Sequence, residues 1–167
     1  MATRSGRAFD VRPARPLDLP ALRAFLAQIE PEDLRFRFLS PFRQVPDGLI
    51  KQLLGNDHHR VEHFLASEPG AETIVASAVI AAEGRSGGGE VAICTHPQYK
   101  GLGLSWALLE HATAWADAHG FCEVIALEAI DHRDAIELER EQGFKADVDA
   151  ANPGVVRMTK RLRKARR

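Results

Sequence analysis

The stretch EVAICTHPQYKGLGLS, residues 90–105, decides the fold of this chain. Its first six residues are β-prone, His96-Pro97 ends that run, and a glycine-bearing turn opens directly into helical spacing. Leu104, Ala107, Leu108, Ala112, Trp115 and Ala118 follow an i, i+3, i+4 stripe, and Gly120 stands at the expected stop. A helix start leaves backbone N–H groups without internal partners, and the helix dipole adds positive potential there. Together with a turn whose amides point the same way, it makes an anion site without any charged side chain. Gly101 and Gly103 lack the Cβ atoms that would keep backbone from approaching a pyrophosphate.

Outward from this segment, the pattern alternates between strands and helices. On the N-terminal side, residues 61–66, 73–82 and 90–95 are β-prone runs, and Gly84, Gly87, Gly88 and Gly89 read as a flexible hairpin loop. Further upstream, residues 9–12 alternate as a short strand before Pro13 and Pro16. Leu19, Leu22, Phe25, Leu26 and Ile29 form a helical stripe with Asp18 as its expected N-cap. Pro31-Glu32-Asp33 opens a second helix, and residues 47–54 a third, ended by Gly55-Asn56. On the C-terminal side, residues 121–127 read as a buried strand and 131–142 as a highly charged helix ending at Gly143. Two last strands, 144–148 and 155–159, turn through Asn152-Pro153-Gly154. The order predicts a mixed α/β sheet in a single domain over residues 1–160, followed by a basic tail over 161–167.

The 167 residues suffice for one packed domain, and 45% hydrophobic with 27% charged residues excludes a disordered chain. The net charge of −1 hides an asymmetry. Seven of the 22 basic residues lie in 157–167 with no acid among them, leaving 15 against 23 acids, or −8, in residues 1–156. No apolar run approaches the roughly 20 residues of a membrane span, and MATRSGRAFDVRPARP lacks the apolar stretch of a secretory signal. Cys94 and Cys122 fit neither a C-x-x-C site nor a disulfide scaffold. The expectation is a cytoplasmic protein without membrane attachment.

The segment HPQYKGLGLSWALL resembles the acyl-CoA-binding motif of the GNAT acetyltransferase superfamily, written Q/R-x-x-G-x-G/A. Aligning Pro97, Tyr99 and the following helix places Lys100, Gly101, Leu102, Gly103, Leu104 and Ser105 on it. A literal match two residues earlier, from Gln98, would shift the helix and misplace Pro97. Lys100 replaces Gln/Arg, keeping a positive charge but not arginine's fork, and Ser105 replaces Gly/Ala. The resemblance runs from Val11 to Leu162, closest to the GNAT domain of bacterial protein-lysine acetyltransferases.

That resemblance implies acetyl-CoA as co-substrate and direct acetyl transfer to an amine, a protein lysine first. A lysine ammonium, with pKa near 10.4, must lose a proton before it attacks a thioester. By residue type alone Glu90 reads as a solvated strand-edge carboxylate; the resemblance makes it the general base. It also implies that the strand splays from its neighbour, turning the N–H groups of Ile93 and Thr95 toward thioester and pantetheine. His132 falls where an asparagine often contacts the pantetheine arm. Many family members protonate the leaving thiolate with a tyrosine on the last helix; Tyr99 is the only tyrosine here and belongs to the loop, so that role is unfilled. Two other functions stay open, a small-molecule amine acetyltransferase and a non-catalytic CoA-binding regulatory domain.

Other features read as structural. His58-His59 lacks a companion set with ligand spacing, so no metal is expected, and its loop, 55–60, is placed near the acceptor cleft together with 149–154. Cys94 reads as packing rather than an acyl carrier, and Trp106 and Trp115 as core or interface. Asp131, Asp134, Glu137, Glu139 and Glu141 read as a solvated helix face. The tail RLRKARR has no interleaved aromatics and follows an acidic body, favouring a solvated or acid-binding end over nucleic acid.

Overall fold

The computed structural model describes residues 1–84, 87–148 and 152–162; part of the 149–154 loop and residues 163–167 of the expected basic tail lie outside them. The strands are β1 (Asp10–Pro13), β2 (Val61–Ser67), β3 (Ile74–Glu83), β4 (Gly88–Thr95), β5 (Glu123–Ala129), β6 (Lys145–Val148) and β7 (Val155–Arg161). The helices are α1 (Leu19–Leu26), α2 (Pro31–Phe38), α3 (Asp47–Leu53), α4 (Leu104–Ala118) and α5 (Arg133–Glu141). The strands form one sheet in the order β1-β2-β3-β4-β5-β7-β6. Every neighbouring pair is antiparallel except β4 and β5.

That parallel pair is short. Gly88, Gly89 and Glu90 face Glu123, Val124 and Ile125, and pairing stops there, although β5 runs on beside β7 to Ala129. The sheet therefore opens into a V between β4 and β5. Its two faces carry separate cores. On one, Leu22, Phe25, Ile29, Leu34 and Ile50 of the N-terminal helices and their connections pack on Leu65, Ile74 and Cys94. On the other, Leu104, Leu108, Leu109, Ala112 and Ala116 of α4 pack on Ile80, Val91, Val124 and Ala126. Leu108 is fully buried, worth about 2 kcal/mol to α4, and the alanines let the helix lie close to the sheet. Among the described residues no helix is long and apolar enough to cross a membrane.

Two expectations change. Gly88 and Gly89 are not hairpin loop but the first residues of β4. A Cβ on Gly89 would lie 2.8 Å from Phe121 Cδ1, so the glycine admits an aromatic ring against the strand. Asp18 stands at the N-cap of α1 but makes no side-chain cap bond. Its carboxylate accepts from the Arg15 N–H at 2.7 Å and from both terminal nitrogens of Arg12, tying β1 to the turn before α1. Residues before β1 form a small hairpin closed by an Ala2–Ala8 bridge and laid across the start of α4, where Arg4 stacks 3.6 Å above Trp106.

Candidate active site

The parting of β4 and β5 opens a cavity of 510 Å³, within the usual range for small-molecule sites. Residues 91–95 form one wall, Leu127, Glu128 and α5 the other, with α2 on one side and the 100–105 loop at one end. The His96 N–H donates to Val75 O across the β3 side. By alternation along an antiparallel strand, the N–H groups of Ile93 and Thr95 point the other way, toward the side from which β5 has withdrawn.

The loop is shaped by its glycines. Gly101 and Gly103 have φ of +74° and +78°, which other residues rarely adopt. Gly103 is also the N-cap of α4, covered by Thr3, while Ser5 Oγ donates to Leu102 O at 3.2 Å. Among the described residues no backbone carbonyl accepts from Gly101, Leu102 or Gly103, and the first N–H groups of α4 at Leu104 and Ser105 lack intrahelical partners by geometry. Ser105 Oγ is 2.8 Å from Thr95 Oγ1, pinning the helix start to the strand end. Lys100 differs from the rest. Its N–H turns back to Pro97 O, and its Nζ donates to Asp33 Oδ2 at 2.5 Å, with Glu30 at 3.8 Å. Burial works against this ammonium, but Asp33 of α2 and Glu30 at its N-cap hold its pKa above the ordinary lysine value.

Glu90 lies just outside the cavity lining, on the same face of β4 as Ala92 and Cys94, which line it. Burial, aided by the nearby charge of Glu83, raises its pKa above the usual carboxyl range, opposed by Arg37 and Arg157. A raised carboxylate is the stronger base. Cys94 is buried in the helix-side core, and burial pushes its thiol up to about 12, so it stays protonated and packs. The 55–60 loop is held by its own acids. Asp57 Oδ1 accepts from the N–H groups of His59, Arg60 and Val61, which holds its carboxyl down at about 2, and His58 Nδ1 meets Glu62 Oε2 at 2.9 Å.

The opposite wall holds residues that the sequence reading passed over. Glu139 is not on a solvated face: it is 5% exposed and lines the cavity beside Glu128. Burial and the charge of Glu128 push its carboxyl well above the usual carboxylate range, toward the protonated form. His132, the N-cap of α5, has Nδ1 2.6 Å from Glu128 Oε2, and its ring stacks on Phe36 at 4.0 Å. Arg37 of α2 also lines the cavity; its desolvation lowers its pKa, partly offset by Cys94, Glu90 and Glu128. The visible signal for Glu139 was its place three residues after Ile136 and four after Ala135, on the apolar stripe of α5.

Similar architecture occurs in solved structures. The GNAT domain of S. lividans PAT superposes with a TM-score of 0.89 at 24% identity, covering 97% of this chain and 95% of that one. A GNAT-family acetyltransferase from Streptococcus pneumoniae gives 0.73 at 22%, covering 93% and 100% of the two chains. Spermidine N-acetyltransferase from Vibrio cholerae, solved with CoA and spermine, gives 0.72 at 14%, covering 92% and 95%. These likenesses establish a shared fold. Family membership rests on the sequence: the model of the Acetyltransferase (GNAT) family matches residues 24–144, spanning α2, the V of β4 and β5, the glycine loop and all of α4 and α5, and the chain belongs to that family.

Proposed function

We propose that this protein transfers acetyl from acetyl-CoA directly to a primary amine, with a protein lysine as acceptor and Glu90 as general base. One observation carries this reading: β4 and β5 part immediately after Glu90, above a loop of unpaired amides that opens α4. The amides of Gly101, Leu102, Gly103, Leu104 and Ser105 would bind the pyrophosphate. The N–H groups of Ile93 and Thr95 would hold the thioester and pantetheine and stabilise the oxyanion as the tetrahedral carbon forms. His132 borders the pantetheine path from the facing wall. Glu90 takes the ammonium proton, directly or through water, so that the free amine attacks the carbonyl carbon.

No enzyme nucleophile intervenes, in keeping with the buried, protonated Cys94. An amine acceptor suits a cavity whose lining includes the carboxylates Glu32 and Asp134, which favour a cation. The likeness to S. lividans PAT favours protein lysine, and that to spermidine acetyltransferase keeps a small polyamine as the second reading. The test combines acetyl-CoA-dependent thiol release with mass spectrometry of lysines acetylated in a lysate. Glu90→Gln is expected to lower kcat about 10²-fold or more while acetyl-CoA affinity holds. Unchanged turnover removes Glu90 as base; turnover on polyamines with no modified protein lysine selects the second reading.

A further inference from the structure

Glu128 and Glu139 form a carboxyl pair in the cleft wall that faces β4, apart from the proposed general base Glu90. Glu139 is nineteen-twentieths buried, and its Oε2 meets no donor. The group beside it is Glu128, another carboxylate, so the two can hydrogen-bond only when one carries a proton. Glu128 in turn is fixed by His132 Nδ1 at 2.6 Å. Leu127, Leu138 and Leu109 line the same part of the chain's cavity wall as the pair. The other charged or titratable groups lining the cavity are Glu32, Asp33 and Arg37 from α2, His132 and Asp134 at the start of α5, Cys94 from β4 and Lys100 from the glycine loop; α4 brings no charged side chain. Two carboxyls so placed are held together by one shared proton, in the wall of the cavity that the thioester has to enter.

Direct transfer creates a demand for that proton. As the amine nitrogen bonds to the carbonyl carbon, the C–S bond breaks and its electron pair leaves on sulfur. Glu90 removes a proton on the acceptor side and is not placed in the cavity lining to return one. Tyr99 packs edge-on to Phe9 and His96. Resting on the acetyltransferase reading above, we propose that the Glu128–Glu139 pair delivers its shared proton to the departing thiolate sulfur. The sulfur becomes a thiol and the pair a dianion. The pair is then recharged from solvent through His132, whose side chain is 28% exposed and bonded to Glu128.

The test uses the full chain with acetyl-CoA and an amine acceptor, and follows kcat against pH for wild type, Glu139→Gln and Glu128→Gln. Glutamine at 139 keeps the size and can donate to Glu128, so the wall stays filled. Glu139→Gln is expected to lower kcat about 10²-fold, the low end for a lost acid catalyst because a thiolate leaves readily. KM for acetyl-CoA should stay within about threefold, and the alkaline fall of kcat should disappear. Infrared spectra read the proton without turnover: a carboxylic-acid carbonyl band persists at about pH 8 in wild type and is lost in Glu139→Gln. Turnover that survives Glu139→Gln with its alkaline limb intact, or absence of that band in wild type, overturns the inference alone. A wild type that acetylates no amine overturns the acetyltransferase reading, and this inference with it.

Discussion

Lys100 offers a quantitative test of what holds the phosphates. Lys100→Met keeps the aliphatic stem and removes the ammonium, which lies 2.5 Å from Asp33 and 3.8 Å from Glu30. The lysine side chain is 46% exposed and that of Asp33 18%, so after solvent screening the pair contributes at most about 1 kcal/mol. To reach a pyrophosphate the ammonium must surrender that contact and leave Asp33 partly buried without its cation. A charge-assisted contact gains about 1.5–3 kcal/mol, so the net gain from turning is on the order of 1 kcal/mol, at most about a fivefold change in Kd. If the loop amides do the holding, Lys100→Met changes acetyl-CoA affinity by less than about fivefold, and its salt dependence is unaltered. Isothermal titration at two ionic strengths reads both. A tenfold or greater loss with a shallower salt dependence refutes the argument, because it means that binding itself draws Lys100 away from Asp33.

Two further outcomes follow from packing and burial. Gly89→Ala places a Cβ 2.8 Å and 2.9 Å from the Phe121 ring and should cost about 1–3 kcal/mol in urea unfolding, with Phe121→Leu recovering most of it; a neutral Gly89→Ala denies the close approach. His63 is fully buried with Nδ1 on Leu53 O at 2.7 Å, and burial lowers its pKa from 6.5 to about 4. The unfolded chain takes up a proton that the folded one refuses, so stability held above about pH 6.5 declines toward about pH 4, by about 3 kcal/mol. His63→Gln should flatten that segment of the stability profile; identical profiles for variant and wild type would show that His63 does not resist protonation.

Features set by neighbours in sequence were legible, and features set by distant contacts were not. The stripe from Leu104 to Ala118 and the glycine after it mark α4 because helical spacing and a positive φ are local demands. Gly88 and Gly89 read as a loop because glycine runs usually are; what they meet as strand lies more than thirty residues on, Ile125 and Glu123 at Gly88 and the Phe121 ring at Gly89. The parting of β4 and β5 has no signature in spacing, and only likeness to a known family pointed to it. Lys100 shows the same limit, since its charge suggested phosphate while the fold sets Asp33 within reach. Glu139 lies between these cases. A helix as charged as α5 reads as solvated all round, yet Ala135, Ile136 and Leu138 form a narrow apolar stripe, and Glu139 falls on it. A carboxylate at such a position must either leave the stripe or give up its charge. With Glu128 beside it and no cation paired with Glu139 among the described residues, burial favours the second course and raises its carboxyl toward the protonated form.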